Sequence, residues 1–210
     1  GFWIGQAVLL ICFMLLVFVH YPSTQFLSFE CLKKGKMIPK LMLIGFLYNL
    51  GIWIDKLIFW FSQETSIPVI GYLRASPIYD LPIFLAYLSI IPGMAVFLIR
   101  IETDFVEYYD KFYNAVREGE TLRHIQAMRN EMVFIIQQGI FDIIKIQSIA
   151  VLTMFILGSY ILDFLHISLI YTELLYIDLI AVAIQVVFLG VLNVLFYLDE
   201  RSTIFYSLLI

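Results

Sequence analysis

Several polar and aromatic side chains lie in the middle of an apolar stretch, where they could hold a polar substrate or take up a proton. Burying such groups in hydrocarbon costs several kcal/mol unless they are paired or in contact with water. A carboxylate can bind a cation or a proton, and an indole ring can stack on a sugar ring. We therefore predict a substrate path formed by Asn49, Trp53, Asp55, Lys56, Trp60 and, from the next apolar stretch, Asp80.

Spacing places four of these residues on one side of a helix. Asn49, Trp53, Lys56 and Trp60 follow at intervals of four, three and four residues. Asp55 projects about 100° away from Lys56, so two separate partners are expected rather than a direct pair.

Two interpretations of Asp55 and Lys56 stay open. In the first, the two charges form structural ion pairs with neighbouring spans, and Lys56 extends toward the membrane surface. In the second, they line a polar cavity that holds a substrate or couples a proton. Trp60 alone is also typical of the aromatic belt at a membrane interface.

The next apolar stretch contains signals for a helix start and a helix break. Asp80 and Pro82 suit the first turn of a helix. Pro92 and Gly93 predict a kink in its middle. Broken helices near the membrane midplane often mark transport cavities, although Pro and Gly are also frequent in ordinary transmembrane helices.

Long apolar stretches must position these residues. The chain is 62% hydrophobic and only 14% charged, whereas soluble domains carry about 25% charged residues. Each stretch is close to the roughly 20 residues that a helix needs to cross the hydrocarbon core. We predict an all-α polytopic transmembrane helix bundle, a single transmembrane domain over residues 1–210, with spans at about 1–19, 41–61, 80–99, 146–165 and 175–198.

The ends of the sequence suggest a fragment. The chain begins inside an apolar run without features of a signal peptide. It ends within Thr203–Ile210, which we interpret as the start of a sixth span.

Basic residues predict the orientation of the spans. Eleven of the thirteen Lys and Arg residues fall in three alternate connections, 20–40, 100–145 and 200–202. Positively charged loops stay in the cytoplasm. These three connections are therefore predicted to be cytoplasmic, and 62–79 and 166–174 to face outside, the first as a turn-rich connection.

The 100–145 segment is predicted to contain two amphipathic helices. Gly119 suits a helix end and Thr121 an N-cap. The helices are expected to lie along the inner membrane surface or to extend a transmembrane helix into the cytoplasm. Their aromatic face either packs on the protein's own spans or docks a cytoplasmic partner through Tyr109, Phe112 and Tyr113.

The sequence lacks the patterns of an enzyme or a metal site. It has no Gly-rich phosphate loop, and its three His residues are scattered over different loops. Cys12 and Cys31 are interpreted as packing residues. We expect no catalytic residue, no metal and no cofactor. Nucleic-acid binding has no support, because the topology explains the basic residues.

Several sequence runs resemble the Pel exopolysaccharide transporter family, PelG. The resemblance rests on Asn49–Lys56 and the long run Arg74–Phe105, and it extends to Glu107–Asp110, Met128–Met132 and Asn193–Asp199. It covers essentially the whole chain. It implies an inner-membrane protein similar to flippases of the multidrug/oligosaccharidyl-lipid/polysaccharide exporter superfamily, with two helix bundles around a central cavity.

The resemblance also implies a function. Such a protein moves the Pel polysaccharide, a cationic amino-sugar polymer of biofilms, across the bacterial cytoplasmic membrane. Its partners are a cytoplasmic glycosyltransferase and other Pel inner-membrane subunits. A cationic polymer favours an acidic lining, so we expect an exit-side path at Asp55, Asp80, Asp163 and Asp178. Individually, Asp163, Asp178 and Asp199 are also typical of interfacial residues.

Two alternative functions stay open. One is a membrane scaffold that recruits and activates a glycosyltransferase without conducting polymer. The other is a cation-coupled exporter of small molecules.

Overall fold

The structure, a computed structural model, describes residues 2–21 and 38–209. These fall into two compact units, Gly1–Met42 and Leu43–Ile210. Most described residues are helical, which confirms the all-α class. Most of the predicted 20–40 loop, including Cys31, lies outside the described residues.

The first unit contains α1 and the first residues of α2. Helix α1 covers Phe2–His20, and α2 begins at Pro39. His20 Nδ1 lies 3.0 Å from the carbonyl oxygen of Leu16 in the last turn of α1. Cys12 is exposed on α1.

The second unit contains the remaining elements. Helix α2 ends at Phe61, and a short hairpin separates it from a series of helices. In order, the elements are β1 (Ile67–Ile70), β2 (Leu73–Ala75), α3 (Pro77–Leu88), α4 (Ile91–Phe97), a π-helical segment (Leu98–Phe105), α5 (Val106–Arg117), α6 (Leu122–Phe164), a 3₁₀ turn (Leu169–Tyr171), α7 (Thr172–Tyr197) and α8 (Arg201–Ser207).

The predicted number of spans is not confirmed. By length and composition, three described helices could cross a membrane: α2, α6 and Leu169–Tyr197. A fourth span results if α3 and the helical run Ile91–Arg117, bent by 43°, are counted as one. Over Ile4–His20, α1 is a shorter apolar helix.

The third predicted span is broken one turn earlier than its sequence suggests. Helix α3 ends at Leu88 and α4 begins at Ile91, so Pro92 and Gly93 lie in the first turn of α4. Proline lacks an amide hydrogen, and its ring collides with the carbonyl group four residues before it, here that of Leu88. The interruption therefore precedes the proline.

The buried core of the second unit lies mainly between α3, α6 and α7. Ile83, Leu162 and Leu179 belong to one buried cluster that joins these three helices. A second cluster around Ile101 and Phe105 joins the π-helical segment to α6 and α7. The third predicted span is thus fixed to both neighbouring long helices.

The 100–145 segment has the predicted pair of helices. Gly119, at φ +72°, separates α5 from α6, and Thr121 occupies the N-cap position without a side-chain capping bond. Helix α6 continues without interruption for 43 residues. The second helix therefore extends a predicted transmembrane helix, one of the two expected arrangements.

The connection 62–79 has more structure than the predicted turn. Strands β1 and β2 pair antiparallel, with Ile67 opposite Ala75. Gly71 has φ +58° in the turn between them. Arg74 of β2 binds Ser66, the residue before β1. Its Nε donates to Ser66 Oγ at 2.7 Å, and its Nη2 donates to the Ser66 carbonyl oxygen at 2.9 Å.

Candidate functional site

A cavity of about 600 Å³ lies between α2, α3 and α7 and extends to the end of α8, at Ser207 and Leu208. Most of its lining is apolar, as expected among predicted transmembrane helices. A few polar groups converge on it, an arrangement typical of ligand sites. They are Tyr48, Asp55, Tyr79, Tyr87, Asp178, Gln185 and Ser207.

Asp55 is held between α2 and α3. Its Oδ2 accepts a hydrogen bond from the hydroxyl of Tyr79, and its Oδ1 accepts one from the backbone amide of Lys56 at 2.8 Å. Phe59, one turn along α2, stacks on the Tyr79 ring with a centroid separation of 4.3 Å. Both carboxylate oxygens of Asp55 therefore have a donor.

Lys56 has partners of its own, as the sequence predicted. Its Nζ donates to the Ile52 carbonyl oxygen at 3.2 Å and to the Tyr87 hydroxyl at 3.4 Å. The ammonium also lies 4.8 Å from the centre of the Tyr87 ring and 5.2 Å from that of Trp53, within range of cation–π attraction. The contact with Tyr87 directs Lys56 toward α3.

Asp178 is buried in the wall of the cavity. Its residue is only 4% exposed, and its Oδ2 has no hydrogen-bond partner among the described residues. The charges of Asp55 and Lys56 both act on it. Because α7 begins at Thr172, Asp178 lies more than one helical turn inside the helix.

The sequence contained one signal for this side of α7. Gln185 follows Asp178 by seven residues, two helical turns, and therefore shares its face. Both residues line the cavity, and the Tyr87 hydroxyl lies 3.5 Å from Gln185 Oε1. Asp163, in contrast, is exposed.

Trp60 and Asp80 bind each other. The indole Nε1 of Trp60 donates to both carboxylate oxygens of Asp80, at 3.0 and 3.2 Å. Asp80 Oδ2 also accepts the backbone amide of Ser76 at 3.0 Å. Trp53 meets Trp60 edge-to-face at 6.3 Å. The hydrogen bonds between Trp60 and Asp80 connect the end of α2 to the start of α3.

The cavity faces a different side of α2 from the predicted aromatic stripe. Asn49 is exposed, and its Nδ2 donates to the Gly45 carbonyl oxygen of its own helix at 2.8 Å. Of the six predicted path residues, only Asp55 is among the described residues that line the cavity. Sequence reasoning missed Tyr48, Tyr79, Tyr87 and Gln185 as lining residues. The substrate-path role of the six stays a prediction.

Comparison with known protein families gives a match over the whole chain. A family model described as "PelG: Putative exopolysaccharide Exporter (EPS-E)" matches residues 1–210. The chain belongs to this family. Membership of the PelG family supports a role in polysaccharide export and suggests transport rather than catalysis. With the apolar helices, it suggests a membrane protein. No curated protein and no solved structure matches the chain.

In this PelG-family chain, the helix break is occupied by a glutamine from α6. Gln147 is 1% exposed, and its Nε2 donates to the Ser89 carbonyl oxygen at 3.3 Å. Its Oε1 lies where a side chain at Gly93 would begin, and it has no hydrogen-bond partner among the residues described. A Cβ at Gly93 would also come within 3.3 Å of Val186. An alanine at position 93 would therefore require Gln147 and Val186 to shift.

A second group of charges surrounds the π-helical segment. Arg100 binds Asp104 at 2.9 Å and Asp142 at 3.0 Å. Lys145 binds Asp142, three residues before it on α6, at 3.1 Å. π-helical segments occur often at functional sites. Here the segment positions Arg100 against α6.

The predicted docking residues are half-buried. Tyr109, Phe112 and Tyr113 contact one another. Tyr109 also packs edge-to-face on Phe105 at 5.9 Å and on Tyr197 at 5.6 Å. These contacts favour packing on the chain's own helices, and docking of a partner stays a prediction. No group of three or more His, Cys, Asp or Glu side chains that could hold a metal ion occurs within the described ranges.

Proposed function

We propose that this chain moves the Pel exopolysaccharide across the bacterial cytoplasmic membrane for the biofilm matrix. The observation that carries the proposal is the cavity between α2, α3 and α7, where hydroxyl, amide and carboxylate groups converge among apolar helices. Membership of an exopolysaccharide exporter family supports the same function.

The cavity offers the contacts that a sugar polymer needs. The hydroxyls of Tyr79 and Tyr87 and the amide of Gln185 can exchange hydrogen bonds with sugar hydroxyls. The carboxylates of Asp55 and Asp178 can attract the amino groups of a cationic polymer. A volume of about 600 Å³ suits a short saccharide segment rather than a folded chain.

The proposal includes an orientation and a setting. The protein is a multi-pass, flippase-like protein of the inner membrane, with 20–40, 100–145 and 200–202 in the cytoplasm. The distribution of Lys and Arg supports this orientation. The cavity then lies in the outer half of the bilayer. A cytoplasmic glycosyltransferase supplies the polymer, with other Pel inner-membrane subunits as neighbours.

Thiol accessibility tests whether the cavity is wet. Ala181→Cys introduces a thiol at a cavity-lining position, and Ile180→Cys places one at an exposed neighbour outside the lining. Both go into full-length protein in cells, with Cys12 and Cys31 replaced. A membrane-impermeant thiol reagent is expected to label position 181 and not position 180.

The same experiment can refute the proposal. If neither cysteine is labelled in cells that still secrete polymer, the cavity is dry and is not the path. Labelling of position 181 that decreases while polymer is being secreted gives the strongest support, because the polymer then occupies the same space.

A further inference from the structure

One carboxylate that lines the cavity has a buried oxygen without a hydrogen-bond partner among the described residues. Asp178 is 4% exposed and lines the cavity, and its Oδ2 makes no hydrogen bond within the described part of the chain. A buried carboxylate without a partner is strongly destabilising. In a predicted membrane span, such a residue marks an ion or proton site more often than a structural tie.

The groups facing Asp178 do not neutralise it. Helix α2 contributes Asp55 and Lys56, whose charges both act on Asp178. Lys56 is held by Tyr87 and by its own helix, and the described residues show no ion pair between it and either carboxylate. Helix α3 contributes Tyr79, whose proton is donated to Asp55.

The formal charge of this group sets the charge of its ligand. Two carboxylates and one ammonium leave a single negative charge in a low-dielectric setting. One positive charge would neutralise it, whereas a divalent ion would leave an excess of the opposite sign. The cavity is lined by the carboxylate of Asp55 and the hydroxyl of Tyr79, and oxygen is the ligand type that hard cations prefer.

We propose that Asp178 and Asp55 form a binding site for one monovalent positive charge, either a proton or an alkali-metal ion. The ligand binds the carboxylate of Asp178, whose buried Oδ2 has no hydrogen-bond partner among the described residues. This proposal deepens the proposed function, and it rests on that function only for the role of the site in export. During transport, an occupied site and an empty site would give the cavity different charges.

Thermal unfolding of the full-length protein in detergent tests the site directly. The unfolding midpoint is measured in sodium chloride and in choline chloride at equal ionic strength, over a series of pH values. If an alkali ion binds, sodium raises the midpoint above that in choline, since a ligand of the native state stabilises it.

A proton gives a different result. Stability is then fully present at acidic pH and is lost as the pH rises through the titration of the site, because the native state binds the proton more tightly. Sodium and choline give the same curve in that case.

Asp178→Asn and its control decide the outcome. In the wild type, the unfolding midpoint is expected to depend on sodium or on pH. The variant is expected to lose that dependence. Asp110→Asn, at an exposed position on α5, should keep it. Equal dependence in wild type and Asp178→Asn overturns the site. If Asp178→Asn does not fold, Asp55→Asn is measured instead and is expected to weaken the same dependence.

The measurement uses no polysaccharide, so the two proposals can fail separately. A labelled Ala181→Cys with no Asp178-dependent stabilisation overturns the cation site alone. An Asp178-dependent stabilisation with a dry cavity in secreting cells overturns the substrate path alone.

Discussion

Two groups of charged residues in this protein differ in how their carboxylates are partnered. Around the π-helical segment, Asp104 and Asp142 each have a cation within 3.0 Å. In the cavity, the only nearby ammonium among the described residues, that of Lys56, is bound to Tyr87. Asp178 there has a buried oxygen, Oδ2, without a hydrogen-bond partner in the described part of the chain.

The difference separates charges that hold helices together from charges kept ready for a ligand. The ion pairs around Arg100 are partly exposed, and such pairs contribute about 0–1 kcal/mol each. They connect α6 to the π-helical segment and are complete without a ligand. The carboxylate of Asp178 is buried and incomplete, so its presence is explained by binding rather than by stability.

The largest difference between the two groups of charges should appear in polymer secretion. Asp178→Asn removes the unpaired charge from the cavity with almost no change in volume, and we expect polymer secretion to fall by at least about tenfold, the effect of about 1.4 kcal/mol on a rate-limiting barrier. Asp142→Asn should leave secretion close to wild type. Secreted polymer is measured at matched protein levels, and similar secretion by both variants would remove the distinction.

The glutamine at the helix break gives the next largest effect, on stability. Gly93→Ala forces a methyl group against Gln147 and Val186, which should cost about 1–3 kcal/mol of unfolding free energy, as overpacking does. Gly45→Ala, in open space on α2, should be neutral or slightly stabilising. Thermal unfolding in detergent measures both.

A double substitution checks the cause. Gln147→Ala creates room at the break, so Gly93→Ala should cost less in that background than in the wild type. An unchanged cost would mean that the two side chains do not meet.

Among the cavity residues, Tyr79→Phe should have a smaller effect on the stability of the protein. It removes the hydroxyl that donates to Asp55 and keeps the ring that stacks on Phe59. A hydrogen bond to a charged group contributes about 1.5–3 kcal/mol, and water entering the cavity would replace part of it. Tyr160→Phe, at an exposed position, is the control. Equal unfolding midpoints for the two variants would show that Asp55 does not need this donor.

The smallest effect is expected for the ion pairs. Asp142→Asn should lower the free energy of unfolding by less than about 1 kcal/mol, and less at high salt, because these charges are partly exposed. Chemical denaturation at low and high salt measures it. A loss as large as that of Gly93→Ala would show that this cluster is more than a surface tie.

Residue spacing predicted local features well and neighbours poorly. Gly119 and Thr121 define a helix boundary through backbone geometry that each residue encodes alone. The stripe of Asn49, Trp53 and Lys56 is also a property of one helix. Which side of α2 faces α7 depends on packing between segments more than 100 residues apart, and no periodicity in either segment contains that information.

The same limit explains the features that were missed. The contact between Gln147 and Gly93 exists only because α4 and α6 pack together there. The connection 62–79 was predicted as turn-rich, but the pairing of its two strands was not foreseen.

The uninterrupted length of α6 has a mechanical consequence. Its 43 residues make a rod of about 65 Å, with Gln147 close to its midpoint. One end carries the α5 hairpin, and the other packs beside α7. Buried contacts at Met132, Ile143 and Leu162 hold the helix along this whole length. A load on the α5 hairpin is therefore shared by all of these contacts, because one continuous helix joins them.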